Sequence, residues 1–335
     1  MVTTAGFMAL AREAILSAVV VFGASSLAIA QPKAPSAAPA GGSNPFINIL
    51  TAGQGGVYYP LGGALSNIFA AKIPGAKPSV QATKGSIESL NLLQQGKGEI
   101  AFTLGNILAL AWAGDADAGF KGRLDRLRGV AAIYPAYVQI VATKESGIRT
   151  LADLKGKRLS VNTLGSGTEL NARVLLDAAG ISYKDLGKVM YLSYEQGIDL
   201  MWKRQLDATF ALTGLGTPAL REFASSNPIN VVEIPAAIVA KVGVPFLKGV
   251  IPKGTYKGQD SDVQTATILN YLVTRVDMTD DLVYDMTKAV FESTKQLAAV
   301  HPAAAGIKLE RAIDGMPVPL HPGAQKYFKE KGLLK

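Results

Sequence analysis

The chain has 335 residues, of which 48% are hydrophobic and 18% charged, so it can bury a core and is not a disordered protein. Its formal net charge of +8 favours anionic ligands or surfaces, but the lysines and arginines are spread along the chain rather than clustered with aromatic residues, which argues against nucleic acid. The sequence has no cysteine, which excludes disulfides, thiol catalysis and thiolate metal sites.

The N-terminal region has the pattern of an export signal. A weakly basic start that ends at Arg12 precedes an apolar run at residues 14–29, and Ala28 and Ala30 supply small residues at the cleavage positions. We therefore expect residues 1–30 to be a signal peptide that is cleaved after Ala30. An uncleaved membrane anchor is the alternative, although the run is somewhat short for a full span.

The first strand-turn-helix unit is centred on a glycine turn at residues 53–57. An apolar run at residues 47–52 predicts the strand, and Pro60 suits the first helical turn because its missing N–H needs no partner there. The N–H groups of such a turn and the positive end of the helix dipole can bind an anion. The candidate binding residues here are Gly55, Gly56, Tyr58 and Tyr59. The alternative is that the glycines only permit a tight turn and the tyrosines only fill space.

A second unit with the same pattern follows later in the chain. Its strand is predicted at residues 158–163, its turn at residues 165–167, and its helix from Thr168 to a stop at Gly180. The candidate binding residues here are Gly165, Ser166, Gly167 and Thr168. We expect the protein to close its two glycine turns around a small carboxylate.

Three further units are predicted at residues 78–93, 99–112 and 206–218, and Ser86 is expected to be the N-cap of its helix. Repeated units of this kind favour an α/β fold with mostly parallel sheets and helices on their faces. Ligands of such folds bind beyond the carboxyl ends of the strands, so the turns should share one edge.

Polar side chains at or just after these turns complete the candidate ligand-binding residues. They are Lys84, Ser86, Asn106, Asn171, Arg173 and Thr217. Hydroxyl and amide groups could fix the orientation of a ligand, and Lys84 and Arg173 could pair with a carboxylate. A structural or solvent-exposed charge is the commoner role for such cations.

Two apolar, β-prone runs at residues 137–143 and 266–274 are predicted to cross between two similar lobes. A long helix should follow the second crossing, from an N-cap at Thr279 to a stop at Pro302, and a short basic helix should lie in the tail. Two lobes that are joined by two crossing strands indicate a hinged protein that binds its ligand in a cleft.

The domain organisation follows from these elements. Residues 31–45, which are rich in Pro, Ala, Gly and Ser, are expected to be a flexible tether, so that the fold begins near Phe46. Lobe I is predicted to comprise residues 46–143 and 266–335, and lobe II residues 144–265.

Motifs that would indicate an enzyme are missing from the sequence. The last position of the dinucleotide motif G-x-G-x-x-G is Tyr58 in the first turn and Leu170 in the second, and neither a Walker A motif, G-x-S-x-G nor H-E-x-x-H occurs. The two histidines, His301 and His321, are each followed by proline and are predicted to be local turn or capping residues. We therefore predict a binding protein without cofactor or metal.

Nearly the whole predicted mature chain resembles the TAXI receptors of tripartite ATP-independent periplasmic (TRAP) transporters. The matching stretches are residues 55–65 (GGVYYPLGGAL), 85–90, 134–141, 165–173 (GSGTELNAR), 254–260, 281–284 and 321–324. The resemblance implies a type II periplasmic-binding-protein fold, a periplasmic location, and delivery of a small organic acid to a TRAP membrane permease. The ligands it suggests are dicarboxylates such as glutamate or 2-oxoglutarate, and we expect a monomer.

Some positions depart from the pattern of the TAXI receptors. Residues 104–106 are Leu-Gly-Asn instead of Gln-Ser-Asp, and Lys84 replaces Thr or Gly, so an acid is lost and a base gained, which should alter ligand preference. Leu104 and Asn106 favour a keto-acid or a less polar acid over glutamate. Two alternatives to a TRAP receptor remain. They are a binding protein of the same fold that serves a sensor or an ATP-driven importer and, third, an exported enzyme.

Overall fold

The structure is a computed structural model that describes residues 45–335. The predicted signal peptide and, apart from Pro45, the predicted tether lie outside the described residues. The strands are β1 (Phe46–Leu50), β2 (Lys77–Gln81), β3 (Ile100–Leu104), β4 (Leu127–Thr143), β5 (Arg158–Ser160), β6 (Lys188–Met190), β7 (Ala208–Thr213), β8 (Ile229–Val232), β9 (Leu247–Ile251) and β10 (Val263–Arg275). The helices are α1 (Tyr58–Lys72), α2 (Ser86–Gln94), α3 (Gly105–Ala113), α4 (Gly167–Ala178), α5 (Tyr194–Trp202), α6 (Pro218–Ser226), α7 (Ala236–Val242), α8 (Asp280–Phe291), α9 (Thr294–Val300) and α10 (Pro322–Glu330).

The strands form one mixed sheet in the order β2-β1-β3-β10-β4-β7-β5-β6, with β8 beside β4 and β9 beside β10. Strands β1, β2 and β3 are parallel, as are β5, β6 and β7, whereas β10 and β4 are antiparallel to their neighbours. We call β1–β3 the first half of the sheet and β5–β7 the second half. The predicted fold class is confirmed, since two parallel groups are joined through two long strands.

The two crossing strands are β4 and β10, and β4 is longer than the sequence pattern indicated. It begins at Leu127, ten residues before the predicted start, and includes Pro135. A proline cannot donate to a ladder, and the register between β4 and β10 shifts between Leu269, which pairs with Pro135, and Tyr271. This irregularity accommodates the proline inside a central strand.

Helix α1 packs on β1 as its apolar spacing predicts. Its buried face includes Leu61, Leu65, Ile68 and Phe69. A Cβ atom at Gly62 would lie 2.5 Å from Cγ2 of Thr51, so only glycine lets the helix approach the end of β1 this closely. The close approach fixes the start of α1 over the carboxyl end of β1.

The predicted long helix after Thr279 is two helices, α8 and α9, so that expectation is wrong. Thr279 is the N-cap, accepting the N–H of Leu282 at 3.4 Å, but α8 ends at Phe291. The bend lets Phe291 stack on Tyr327 while Leu297 of α9 enters the core. Both helices pack against α1.

Several elements between residues 188 and 251 were not predicted from the sequence. They are β6, α5, β8, α7 and β9. The polar segment that follows β4 contains a 3-10 turn at Ala152–Leu154. Within residues 45–335 none of the helices combines the length and hydropathy that crossing a membrane requires.

Candidate functional site

A cavity of about 300 Å³ lies between the two halves of the sheet. Its wall is built from segments that follow β1, β2, β5 and β6 and from the last residues of β3 and β7. All six segments are at the carboxyl ends of strands, as expected for ligand sites in parallel sheets. The prediction that the turns share one edge is confirmed.

The starts of four helices, α1, α2, α4 and α5, surround this cavity. The starts of α2 and α4 face each other, because a Cβ atom at Gly167 would lie 3.2 Å from Cβ of Ser86. The starts of α1 and α5 also face each other, because a Cβ atom at Gly56 would lie 3.6 Å from the ring of Tyr194. Each helix start carries positive partial charge, so the arrangement favours an anion in the cavity.

The turn before α4 presents N–H groups to the cavity. Ser166 is the N-cap, with its hydroxyl accepting the N–H of Glu169 at 3.1 Å and its carbonyl accepting the N–H of Leu170 at 3.2 Å. The N–H groups of Gly167 and Thr168 therefore precede the first intrahelical bond and have no partner within the helix. Ser166, Gly167 and Thr168 all line the cavity.

The turn before α2 is built differently from the prediction. Gly85, with φ of 121°, is the N-cap residue, and Ser86 is the first helical residue, so the N-cap assignment of Ser86 is wrong. The hydroxyl of Ser86 accepts the N–H of Leu104 at 3.1 Å and so joins this turn to the end of β3. Thr83 accepts the N–H of Gly85 at 2.9 Å and donates to the carbonyl of Thr51 at 2.7 Å, which ties the turn to β1.

The first glycine turn is occupied by a carboxylate of the protein itself. The N–H of Gly55 donates to Oε1 of Glu195, in the first turn of α5 on the opposite wall. A Cβ atom at Gly55 would lie 2.8 Å from Cδ of Glu195, so the two groups are in direct contact across the cleft. The turn binds a carboxylate, as its N–H groups and helix dipole predict, and Glu195 supplies it.

Two tyrosine rings, those of Tyr58 and Tyr194, line the cavity with their hydroxyls bound to protein. Tyr58 donates to Oδ1 of Asn270 at 2.5 Å, and the hydroxyl of Tyr194 accepts the N–H of Leu212 at 3.2 Å. Burial raises the pKa of both phenols above the ordinary value of 10.0, so both rings are neutral at physiological pH. The rings therefore offer apolar surface to the body of a ligand.

Charged side chains are sparse on the cavity wall. Among the described residues that line it, only Lys84 and Glu88 carry charge, and the N–H of Lys84 donates to Oε2 of Glu88 at 2.6 Å. Within residues 45–335 no group of three or more His, Asp or Glu is placed to hold a metal ion. The positive character of the cavity thus comes mainly from backbone groups.

Half of the predicted site residues lie on the cavity wall, and half do not. Those on the wall are Gly56, Tyr58, Lys84, Ser86, Ser166, Gly167 and Thr168, and those off the wall are Gly55, Tyr59, Asn106, Gly165, Asn171, Arg173 and Thr217.

The polar residues off the wall bind other parts of the protein. Asn106 donates to Asn171 at 2.5 Å, Arg173 forms an ion pair with Glu169 at 2.9 Å, and the buried hydroxyl of Thr217 donates to a backbone carbonyl at 2.8 Å. For these residues the structure shows roles in the protein's own packing.

The segment before α5 is a part of the site that was not predicted. It supplies Ser193 and Tyr194 to the wall and Glu195 to the first turn. The signal was present, since Ser193 and Gln196 have the spacing of a capping box. Both of its hydrogen bonds form: the hydroxyl of Ser193 accepts the N–H of Gln196, and the side chain of Gln196 accepts the N–H of Ser193. This pattern indicates a helix start after β6 and hence another turn at the same edge.

Comparison with known proteins gives one family and a shared fold. The model of the NMT1-like family matches residues 49–332. The structure of PhnD1 from Prochlorococcus marinus, solved in complex with methylphosphonate, is 12% identical with a TM-score of 0.56, and the match covers 87% of this chain and 97% of that one. The periplasmic binding protein BugD is 12% identical with a TM-score of 0.55, with 86% and 94% covered.

Proposed function

This chain belongs to the NMT1-like family, and we propose that it is an extracytoplasmic solute-binding protein that captures a small organic anion for a membrane importer. The observation that carries the proposal is the cavity between the opposed starts of α2 and α4. PhnD1 was solved as a ligand complex, and BugD is named as a periplasmic binding protein. The fold that this chain shares with them agrees with binding rather than catalysis.

The anionic group of the solute would bind between α2 and α4. On that side the N–H groups of Gly167 and Thr168 are available, and Ser86 stands opposite them. The body of the solute would lie against Tyr58 and Tyr194, whose hydroxyls are already bound within the protein. A volume of about 300 Å³ is at the lower end of ligand pockets, which favours a small acid.

The lobes predicted from the sequence, residues 46–143 with 266–335 and residues 144–265, are the proposed moving bodies. Strands β4 and β10 connect them, since β4 of the first body pairs with β7 of the second and β10 passes from the second body into the first. Bending at these strands would open the wall between α2 and α4. The remaining part of the proposal is the type of importer that the protein serves. The family match and the two similar structures give no support to a TRAP permease, to glutamate or to 2-oxoglutarate, so the alternative, an ATP-driven importer, is the better supported partner.

A thermal-shift screen of the protein beginning at Gln31 tests the proposal. The probes are amino acids, mono- and dicarboxylic acids, keto-acids, alkylphosphonates and alkylsulfonates, with sugars, nucleotides and metal salts for comparison. An acid at 100 times its dissociation constant should add about 2.7 kcal/mol to the free energy of unfolding, which corresponds to a few degrees in Tm. Stabilisation by a sugar, a nucleotide or a metal ion alone would refute the proposal, as would chemical turnover of a bound acid.

Lys84 offers a second test of how the anion is held. Because Lys84 is exposed, its charge should contribute at most about 1 kcal/mol, so Lys84→Ala should lower affinity for the acid by less than about tenfold. Lys121→Ala, at an exposed position off the wall, is the control for net charge. A loss of binding in Lys84→Ala alone would show that a side chain, and not the helix starts, holds the anion.

A further inference from the structure

Glu195 reaches across the cleft to the first glycine turn. It lies in the first turn of α5, and its Oε1 accepts the N–H of Gly55. The carbonyl of Gly55 in turn accepts the N–H of Ala219, at 3.5 Å. The turn before α1 is therefore held through both backbone groups of Gly55, by residues of α5 and α6.

The shape of the turn fits this carboxylate. A Cβ atom at Gly55 would lie 2.8 Å from Cδ and 2.9 Å from Cγ of Glu195, and one at Gly53 would lie 3.8 Å from Oε2. Gly55 does not adopt a left-handed backbone conformation, so a turn of this shape does not itself require glycine. The close approach of Glu195 explains the missing side chain.

The charge of Glu195 also affects what else the cavity accepts. Its carboxylate lies at the start of α5 and contacts the turn before α1, so it offsets the positive partial charge of two of the four helix starts. Glu195 does not offset the positive partial charge at the starts of α2 and α4, so these two helix starts can bind an external anion. Glu195 does not line the cavity itself, but a second carboxylate on the solute that approached the turn before α1 would be repelled by its charge.

We propose that Glu195 is a specificity-determining residue that takes the place of one ligand carboxylate, holds the two halves together, and selects solutes with a single anionic group. This inference rests on the proposed function of the cavity. It replaces the expected dicarboxylate with a monocarboxylate whose remaining body is uncharged, which suits the rings of Tyr58 and Tyr194.

The test compares matched acids on wild type, Glu195→Ala and Glu195→Gln. The probes are pentanoate with glutarate and 2-oxovalerate with 2-oxoglutarate, since each pair differs by one terminal carboxylate. We expect wild type to prefer the monocarboxylate of a pair and Glu195→Ala to shift the affinity ratio toward the dicarboxylate by about tenfold or more. Glu195→Gln keeps an acceptor for Gly55 without the charge, so its ratio should move in the same direction. Glu292→Gln, an exposed glutamate that pairs with Lys72, is the control.

A double-mutant cycle tests the contact without any ligand. Gly55→Ala should lower the Tm by a few degrees in the presence of Glu195 and have little effect in the Glu195→Ala background, where the obstructing atoms are gone. An equal effect in both backgrounds would overturn the contact. An unchanged affinity ratio in Glu195→Ala, or failure of all four acids to bind any of the proteins, would overturn the inference alone. Failure of the alkylphosphonates and alkylsulfonates as well would overturn the proposed anion-binding function together with it.

Discussion

Asn106 and Asn171 bind each other across the cleft, with the side-chain amide of Asn106 donating to Oδ1 of Asn171 at 2.5 Å. Asn106 belongs to α3, which follows the first half of the sheet, and Asn171 to α4, which follows the second. The amide of Asn171 also donates to the carbonyl of Gly167 at 2.7 Å. The pair thus connects the two walls beside the proposed anion position.

We expect Asn106→Ala to weaken the binding of every acid by the same factor. The lost hydrogen bond joins the walls and does not lie on the cavity surface, and a loss of about 0.5–1.5 kcal/mol corresponds to about two- to tenfold in affinity. Titration calorimetry with two acids of different size measures the factor. Asn91→Ala, whose side chain bonds only within α2, is the control. A loss confined to one acid would instead indicate direct contact with that ligand.

Local sequence patterns predicted the edge of the sheet at which the cavity lies. An apolar run, a glycine turn and apolar residues at helical spacing follow one another within a short stretch of sequence. This pattern located the turns before α1, α2 and α4. Because neighbouring parallel strands have their carboxyl ends at the same edge of the sheet, these local patterns were enough to predict that the turns share one edge. The break between α8 and α9 was missed because no Gly or Pro marks it.

Contacts across the cleft could not be predicted in this way. Gly55 and Glu195 are 140 residues apart, and Asn106 and Asn171 are 65 apart. A local pattern shows that a polar group lies at a turn, but not whether it faces a ligand or another part of the chain. Arg173 is different, since its partner Glu169 is four residues away on the same helix and this pairing is readable from spacing.

Gly167→Val should lower affinity for the acid by more than about tenfold. A Cβ atom at this position would lie 2.9 Å from Cγ1 of Ile107 and 3.2 Å from Cβ of Ser86, so the starts of α2 and α4 would be forced apart, at a cost of about 1–3 kcal/mol. Gly63→Ala in α1 has no atom within 4 Å of the added carbon and should instead stabilise the protein by about 0.5–1 kcal/mol. Normal binding by Gly167→Val would show that α4 does not form the anion position.

Tyr58→Phe should lower the free energy of unfolding, whereas Tyr134→Phe should leave it unchanged or raise it. Removing the Tyr58 hydroxyl leaves Oδ1 of the buried Asn270 without its donor, which should cost about 1–3 kcal/mol. The Tyr134 hydroxyl is buried and has no hydrogen-bond partner among residues 45–335, so its removal should be neutral or stabilising. Urea denaturation of both variants at pH 7 measures the difference. Equal destabilisation would mean that the Tyr134 hydroxyl has a partner, such as a buried water.

The two histidines cap helices in their neutral form, which confirms the local capping roles predicted from the sequence. Nδ1 of His301 accepts the N–H of Ala303 at 3.1 Å, and Nδ1 of His321 accepts the N–H of Gly323 at 3.1 Å. Burial lowers the pKa of both imidazoles below the ordinary value of 6.5. Protonation would also replace each Nδ1 acceptor with a donor that faces a backbone N–H.

The free energy of unfolding should therefore decrease as pH falls from about 6.5 toward the lower pKa values of the folded protein. Over that window the unfolded chain binds protons at both histidines and the folded chain does not, so acid favours unfolding. The variant His301→Asn/His321→Asn keeps a capping acceptor at each position and removes both histidines of the chain, so its stability should change less between pH 7 and pH 5.5. Urea denaturation across that range compares the two proteins. If wild type keeps its stability down to pH 5.5, the histidines must be able to take up protons within the folded protein.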